Sequence, residues 1–328
     1  MKVLILGGTV FVGRHLVEAA LDKGHEVTLF NRGKTNQELF PNVEKLQGDR
    51  EGGLTSLEGR KWDVVIDTTG YVPRIVEQSG RLLKDAVDHY VFISTISVYR
   101  DFKEKYLDEK YPPGSLKKET EEINGETYGP LKAACEQKLN EILPEKTLII
   151  RPGIIVGPHD PTDRFTYWVD RFNKGGKAVL PNIPNQELQW IDARDLASWT
   201  MKMAEAKETG VYNAAGYEHE VTMANLVEQL QTSSSNPAKP VYVEEKLLLE
   251  KGIQPFTDIP LWIPVSEKNP HGYFLVNNRR AIDKGLRFRP MKETIEDTCI
   301  WVKATNRIVN KAGLSEAKEK EVLTVLHP

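Results

Sequence analysis

Tyr128 and Lys132 stand four residues apart in the segment Tyr128-Gly129-Pro130-Leu131-Lys132. On a helix that spacing puts both side chains on one face. An ammonium beside a phenol stabilises the phenolate and lowers its pKa toward working pH, which makes the tyrosine a usable acid or base. Pro130 limits where the helix can start, because proline is tolerated in a first turn and not in an interior. A helix beginning near Tyr128, with the phenol at its mouth, is therefore expected. The same spacing also arises as a plain exposed pair, so it needs partners to carry meaning. Ser94 and Thr95 offer hydroxyls at the end of the apolar run Tyr90–Ser94. A hydroxyl there could hold a carbonyl or alcohol next to Tyr128, or simply cap a turn.

A second kind of chemistry is written near the N-terminus. Leu6-Gly7-Gly8-Thr9-Val10-Phe11-Val12-Gly13 follows a short apolar run and opens a helical pattern. Glycines there permit a tight turn and close approach of a pyrophosphate to the helix N-terminus, where free amides and the helix dipole favour negative charge. Gly13 is expected to let the helix pack on the strand. Val10 replaces the usual middle glycine and is expected to restrict the backbone and narrow the approach. An ordinary strand-to-helix turn is the competing reading. The second run ends at Leu29-Phe30-Asn31-Arg32-Gly33-Lys34, with no acidic residue to bind a ribose 2′-hydroxyl. Asn31, Arg32 and Lys34 suit a 2′-phosphate better, so NADP is expected ahead of NAD. A solvated basic loop is the plain alternative. Two readings fit Asp49: an acceptor for an adenine amino group, or a surface aspartate in a turn.

These residues need a frame to position them. Short apolar runs at Val3–Leu6, Val27–Phe30, Val43–Leu46, Val64–Ile66, Tyr90–Ser94 and Leu148–Ile150 have the texture of buried parallel strands. Helical patterns fall between several of them, at Val12–Lys23, Arg74–Val87 and Tyr128–Leu143. This alternation predicts an α/β fold with a doubly wound parallel sheet. After Arg151-Pro152 the texture changes to frequent Pro and Gly. A helix over about Asp192–Ala206 and a strand at Val211–Asn213 still read as sheet material. The expected division is residues 1–155 plus about 187–214 in a nucleotide domain. Residues 156–186 and 215–328 then form a smaller, mixed, substrate-binding domain. The charged tail Leu314–Pro328 is expected to be a peripheral helix or a partly mobile segment.

Composition bounds the function classes. The 328 residues carry Lys+Arg 44 against Asp+Glu 47, a formal net charge of −3. Such a balance gives no pull toward nucleic acid or an anionic membrane. Two cysteines, Cys135 and Cys299, are too few for a disulfide framework and lack metal-site spacing. There is no apolar run of about 18 residues or more, so no membrane span is expected. A cytoplasmic location with reduced thiols is the expectation, with a small-molecule substrate and no metal.

Taken in order, these segments resemble the extended short-chain dehydrogenase/reductase superfamily, which includes nucleotide-sugar epimerases and dehydratases. The likeness runs from Gly7-Gly8-Thr9 through Asp49 and Ser94–Tyr99 to Tyr128-x-x-x-Lys132. It continues through Arg151-Pro152-Gly153, Gly157-Pro158, Trp190–Ala197 and Val211-Tyr212-Asn213. The form Gly-Gly-Thr-x-Phe-x-Gly looks more like an atypical, isoflavone reductase-like branch that also contains a chloroplast RNA-associated protein.

The resemblance implies a Rossmann domain and hydride exchange between a nicotinamide and a carbon bearing oxygen. Thr95, Tyr128 and Lys132 would form the triad: Tyr128 moves the proton, Thr95 holds the reacting oxygen, and Lys132 tunes Tyr128 and binds the nicotinamide ribose. The expected cofactor contacts are Gly7, Thr9, Val10, Phe11, Val12, Gly13, Asn31, Arg32, Lys34, Asp49, Arg50, Thr68, Thr69, Gly70, Ser94, Tyr128, Lys132 and Pro152. Tyr99, His159, Arg164, Tyr167, Trp168, Gln189 and Arg194 are the candidates for substrate. Of these, His159 fits a loop histidine better than a proton shuttle, and Trp168 fits the core better than a stacking platform. Pro260–Pro264 either walls the cleft or packs the small domain. Ile154 stands where sugar-nucleotide enzymes usually carry an Asn, which weighs against a nucleotide-sugar substrate. Three functions are expected, in this order: an NAD(P)-dependent oxidoreductase, a nucleotide-sugar epimerase or dehydratase, and a non-enzymatic nucleotide-sensing or RNA-associated protein. A homodimer is a further family expectation.

Overall fold

A computed structural model of the protein describes residues 1–267 and 269–326. Its first unit is built from β1 (Lys2–Leu6), α1 (Phe11–Asp22), β2 (Glu26–Asn31), β3 (Glu44–Gln47), β4 (Trp62–Asp67), α2 (Pro73–Leu83), β5 (Val87–Ile93), α3 (Tyr128–Ile142) and β6 (Thr147–Pro152). The chain continues through β7 (Ile154–Val156), α4 (Thr166–Asn173), β8 (Lys177–Pro181), β9 (Glu187–Leu188), β10 (Trp190–Asp192), α5 (Ala193–Glu205) and β11 (Gly210–Ala214). It ends with β12 (Val221–Thr222), α6 (Met223–Thr232), β13 (Lys239–Val243), α7 (Glu245–Glu250), α8 (Arg279–Asp283), α9 (Met291–Ala304) and α10 (Glu316–Leu326).

Seven strands pair in the order β3-β2-β1-β4-β5-β6-β11, all parallel. Alternation along each strand feeds two cores, as the two-residue side-chain period requires. Val3, Ile5, Val27, Leu29, Val64 and Ile66 face α1 and α5, while Leu4, Leu6, Phe30, Val65 and Phe92 face α2 and α3. The order reverses between β1 and β4, so the chain leaves these neighbours in opposite directions and opens a crevice at their C-terminal ends.

Two local expectations change. The helical pattern Arg74–Val87 stops at Leu83, because Val87 enters the sheet opposite Trp62 and is buried there. The third strand is shifted by one residue to Glu44–Gln47 and is mostly exposed, as an edge strand can be. A separate apolar core joins α4, β8, α6, β13 and α9. Trp262 lies within it, fully buried and donating from Nε1 to Glu245. Pro260–Pro264 therefore packs this lobe and does not wall the cleft. The tail helix α10 docks through Glu319, which accepts from Arg171 and from the Val179 amide; the last two residues of the expected tail lie outside the described residues. Among the described residues, no helix is long and apolar enough to cross a membrane.

Candidate active site

A cleft of about 1100 Å³ runs along the C-terminal ends of β1, β2, β4 and β5 and on past β7. Its floor at one end is the glycine turn. Gly8 sits at φ +96°, and Gly13 in α1 packs directly on it: a Cβ at Gly13 would lie 2.7 Å from the Gly8 amide nitrogen. No side chain caps α1, and its first turn holds no acid. The free amides of that turn therefore line the cleft as a site for an anionic group. Val10 has an ordinary extended backbone (φ −132°, ψ 135°) and a side chain 46% exposed. It makes no demand for glycine, so the expected restriction does not arise in the backbone.

The adjoining loops follow from short polar bonds. Asn31 accepts from the Gly33 amide at 2.9 Å and so shapes the loop carrying Arg32 and Lys34. Both cations are exposed, line the cleft, and make no ion pair among the described residues. Asp49 also lines it and accepts from the Glu51 amide at 3.1 Å. Arg50 is different. Its guanidinium donates to Asp67 at 2.7 Å, to Thr69 at 3.2 Å and to Ser79 at 2.6 Å. It braces the turn after β4 while still lining the cleft, and its Nε has no partner among the described residues. Thr68 donates to the Leu6 carbonyl at 2.9 Å, tying that turn to the end of β1.

The helix α3 begins at Tyr128, which puts Pro130 in its first turn. A close approach then fixes the phenol. The start of α3 lies against the turn Ile96–Val98, and a Cβ on Gly129 would stand only 1.9 Å from the Ser97 carbonyl oxygen. Tyr128, Thr95, Ser97 and Lys132 consequently line one wall. Ser94 also lines the cleft, with its hydroxyl donating to the buried Glu136, which receives the Arg151 guanidinium at 2.6 and 3.0 Å. Thr95 keeps its hydroxyl at the cleft, where it accepts from the Ser97 amide at 3.1 Å.

Burial, then the neighbouring Tyr71, raise the Tyr128 pKa above its usual value, and the Thr95 hydroxyl and the Arg164 charge oppose them. Lys132 directs its ammonium to the backbone. Its Nζ donates to the carbonyls of Gly70 and Ile93, both at 2.7 Å, and sits 4.0 Å above the Phe92 ring. Burial lowers its own pKa to about 8, against the opposing pull of Asp67, Cys135 and Glu136. An ammonium that is drawn into the protein in this way acts on the backbone first.

With the geometry in place, likeness to known proteins can be weighed. The model of the NAD dependent epimerase/dehydratase family matches residues 3–58 and 51–215. The chain belongs to this family. The chloroplast stem-loop binding protein of 41 kDa b of Arabidopsis thaliana is 26% identical over 256 residues, covering 72% of this chain and 64% of that protein. The chain thus spans less than two thirds of that relative's length. A 3 beta-hydroxysteroid dehydrogenase/Delta 5→4-isomerase of Mycobacterium tuberculosis is 46% identical over 82 residues, 24% of this chain and 20% of its own. Among solved structures, the UDP-glucuronic acid 4-epimerase of Bacillus cereus in complex with NAD has a TM-score of 0.66 at 17% identity, covering 94% of this chain and all of that one. The UDP-glucose 4-epimerase of Thermotoga maritima with UDP-glucose has a TM-score of 0.66 at 16% identity, with the same coverage. At such identities the likeness is one of fold.

Several expected substrate residues of this family member lie elsewhere. Tyr99 is buried and donates to Asn213 at 2.7 Å. Trp168 is fully buried in the smaller lobe, donating to the Pro260 carbonyl, and Tyr167 packs beside it. His159 packs at a tilt between His15 and Trp301. Gln189 is bonded to Val276, and Arg194 is paired with Asp192 and Asp297. Pro152 ends β6 and is buried, while Gly153 and Ile154 beyond it reach the cleft. Tyr99, Trp168 and Gln189 are each held by a partner distant in sequence. Arg164 alone of that group lines the cleft. Tyr71, Phe256 and Phe274 were missed. Tyr71 follows the turn after β4 and carried a readable signal, whereas the two phenylalanines arrive from a lobe whose placement no local pattern encodes.

Proposed function

We propose that this protein is an NAD(P)-dependent oxidoreductase that exchanges hydride at a carbon bearing oxygen, with Tyr128 as general acid or base. One observation carries the reading: Tyr128, Thr95 and Lys132 share a single cleft with an uncapped, acid-free helix N-terminus. Residues of the glycine turn would hold the pyrophosphate, with Arg32 and Lys34 near the adenosine ribose and Asp49 near the adenine. The glycine contact between α1 and its turn, which leaves no room for a Cβ, fits such a group. A bound nicotinamide supplies or accepts the hydride.

The chain's own residues do the rest. A phenol held above its ordinary pKa is protonated at neutral pH, so Tyr128 is set to donate its proton to a carbonyl oxygen. Thr95 stands beside it to orient that oxygen. Lys132 fastens the Gly70 turn and the end of β5, the two backbone segments that carry the floor beneath the phenol. The unpaired cations Arg32 and Lys34 favour NADP over NAD.

An epimerase or dehydratase acting on a nucleotide sugar is the second reading, supported by the solved neighbours. The apolar Ile154 in the cleft weighs against it. RNA association, suggested by the name of the chloroplast relative, gains nothing from a net charge of −3.

Two variants test the proposal. Tyr128→Phe should lower kcat about 10²–10⁴-fold with cofactor affinity retained; unchanged turnover of a carbonyl substrate would refute the role. Arg32→Ala should weaken NADPH about tenfold and leave NADH alone; equal losses for both would remove the NADP preference.

A further inference from the structure

Arg164 is an anomaly among the arginines of this molecule. Among the described residues, every other buried or half-buried arginine has a carboxylate partner: Arg14, Arg50, Arg60, Arg151, Arg171, Arg194, Arg289 and Arg307. Arg164 is half-buried too, yet its guanidinium has no ion pair and no hydrogen bond to a described residue. It lies 4.8 Å above the ring of Phe256. The adjacent carboxylates are occupied elsewhere. Asp160 accepts from the amide and hydroxyl of Thr162 at 2.8 and 2.7 Å, and the Asp163 carboxylate receives Arg307 and the amides of Asn310 and Lys311. Partial withdrawal of a charge from water without a partner is unfavourable, so a fold that satisfies eight such arginines and leaves the ninth bare reserves it for something external.

The surroundings define that something. Stacking on a ring face leaves the edge of the guanidinium free, and that edge matches the two oxygens of a carboxylate. Phe256 lies under the guanidinium, and the apolar Phe274 and Ile154 line the same cleft. Arg164 is the one cleft-lining cation here among the described residues. Arg32 and Lys34 sit at the β2 end, while Arg50 and Lys132 are bound internally. One cation balances one negative charge and would leave most of the charge of a diphosphate uncompensated. Tyr128 and Arg164 line the same cleft, which puts the anion in one chamber with the phenol.

We propose that this end of the cleft receives an organic monocarboxylate with an aromatic or aliphatic body, its carboxylate gripped by Arg164 and its body set against Phe256, Phe274 and Ile154. The inference deepens the oxidoreductase reading and rests on it for the position of the reacting carbon. It is separable from that reading in the test.

Calorimetry on the full chain loaded with NADP⁺ would compare carboxylates with their uncharged amides: para-toluate with para-toluamide, 3-phenylpropanoate with 3-phenylpropanamide, and hexanoate with hexanamide. At least one carboxylate should bind about tenfold more tightly than its amide. Arg164→Gln should erase the difference while leaving NADP⁺ affinity intact, and Arg164→Lys should restore only part of it. If no carboxylate outbinds its amide in the wild-type protein, the proposal is overturned, whatever the folding of the variants. Reduction of para-formylbenzoate against para-formylbenzamide by NADPH separates the two layers. Arg164-dependent carboxylate binding with no turnover upholds the anion site and counts against the oxidoreductase reading. Turnover of both aldehydes with equal kcat/KM upholds the chemistry and overturns the anion site.

Discussion

Lys132 is a buried cation, and replacing it should separate stability from function. Its side chain is 2% exposed, and burial lowers its pKa from 10.5 to about 8 despite the opposing charges of Asp67, Cys135 and Glu136. That drop corresponds to about 3 kcal/mol by which the folded protein disfavours the ammonium. Lys132→Met keeps the stem and removes the charge. It also strips the donor from the Gly70 and Ile93 carbonyls, a loss of about 1 kcal/mol for each. The net gain at pH 7 is about 1 kcal/mol, or a Tm rise of about 1–2 °C for a chain of this size.

The pH dependence carries the sharper signature. Between about pH 8 and 10.5 the unfolded chain holds a proton at Lys132 that the folded chain has released, so this group makes wild-type stability rise with pH across that window. The variant lacks that contribution. Its advantage is full below about pH 8, fades through the window and becomes a deficit near pH 10.5, where only the lost hydrogen bonds count. Urea unfolding of both proteins from pH 7 to 10.5 measures the difference directly. A stability difference that stays constant over that range would refute the reasoning. Turnover should fall in the variant at every pH.

Two further outcomes follow from packing. Gly13→Ala puts a methyl 2.7 Å from the Gly8 amide nitrogen, where only backbone can yield, so α1 must lift from its turn; a stability loss of about 1–3 kcal/mol and markedly weaker cofactor binding are expected, measured by denaturant unfolding and nucleotide titration. Glu136→Gln leaves the buried Arg151 without its carboxylate, since burial lowers the Arg151 pKa and the Glu136 pair more than offsets it. A loss of about 3–5 kcal/mol in urea unfolding is expected, against near-zero if the pair were solvated.

Much of the fold was legible from local pattern. The six apolar runs of the first half all became strands of the central sheet, five of them because parallel strands covered on both faces must be short, apolar and β-branched, and the third as an exposed edge strand. Misreadings fell where a tertiary demand outweighed local pattern, as at Val87, which the sheet claims from the end of a helical stretch. The motifs that line the cleft were likewise local. A glycine turn, a Tyr-x-x-x-Lys spacing and a hydroxyl at a strand end are each a few residues long, and their strand ends share one edge of the sheet by topology.

Side-chain direction was another matter. Arg50 and Ser94 fall at the predicted places along the chain yet spend their polar groups on Asp67 and Glu136, and Lys132 turns to two carbonyls. Whether a polar group faces a ligand or the interior depends on which partner lies within 3 Å of it, and those partners are 17, 42 and 62 residues away in the chain. The sequence by itself determined the sheet, the glycine turn and the positions of Tyr128 and Thr95 on one wall. Only the tertiary structure decided which charges are already satisfied, and that Arg164 is a half-buried guanidinium lining the cleft over Phe256 with no ion pair among the described residues.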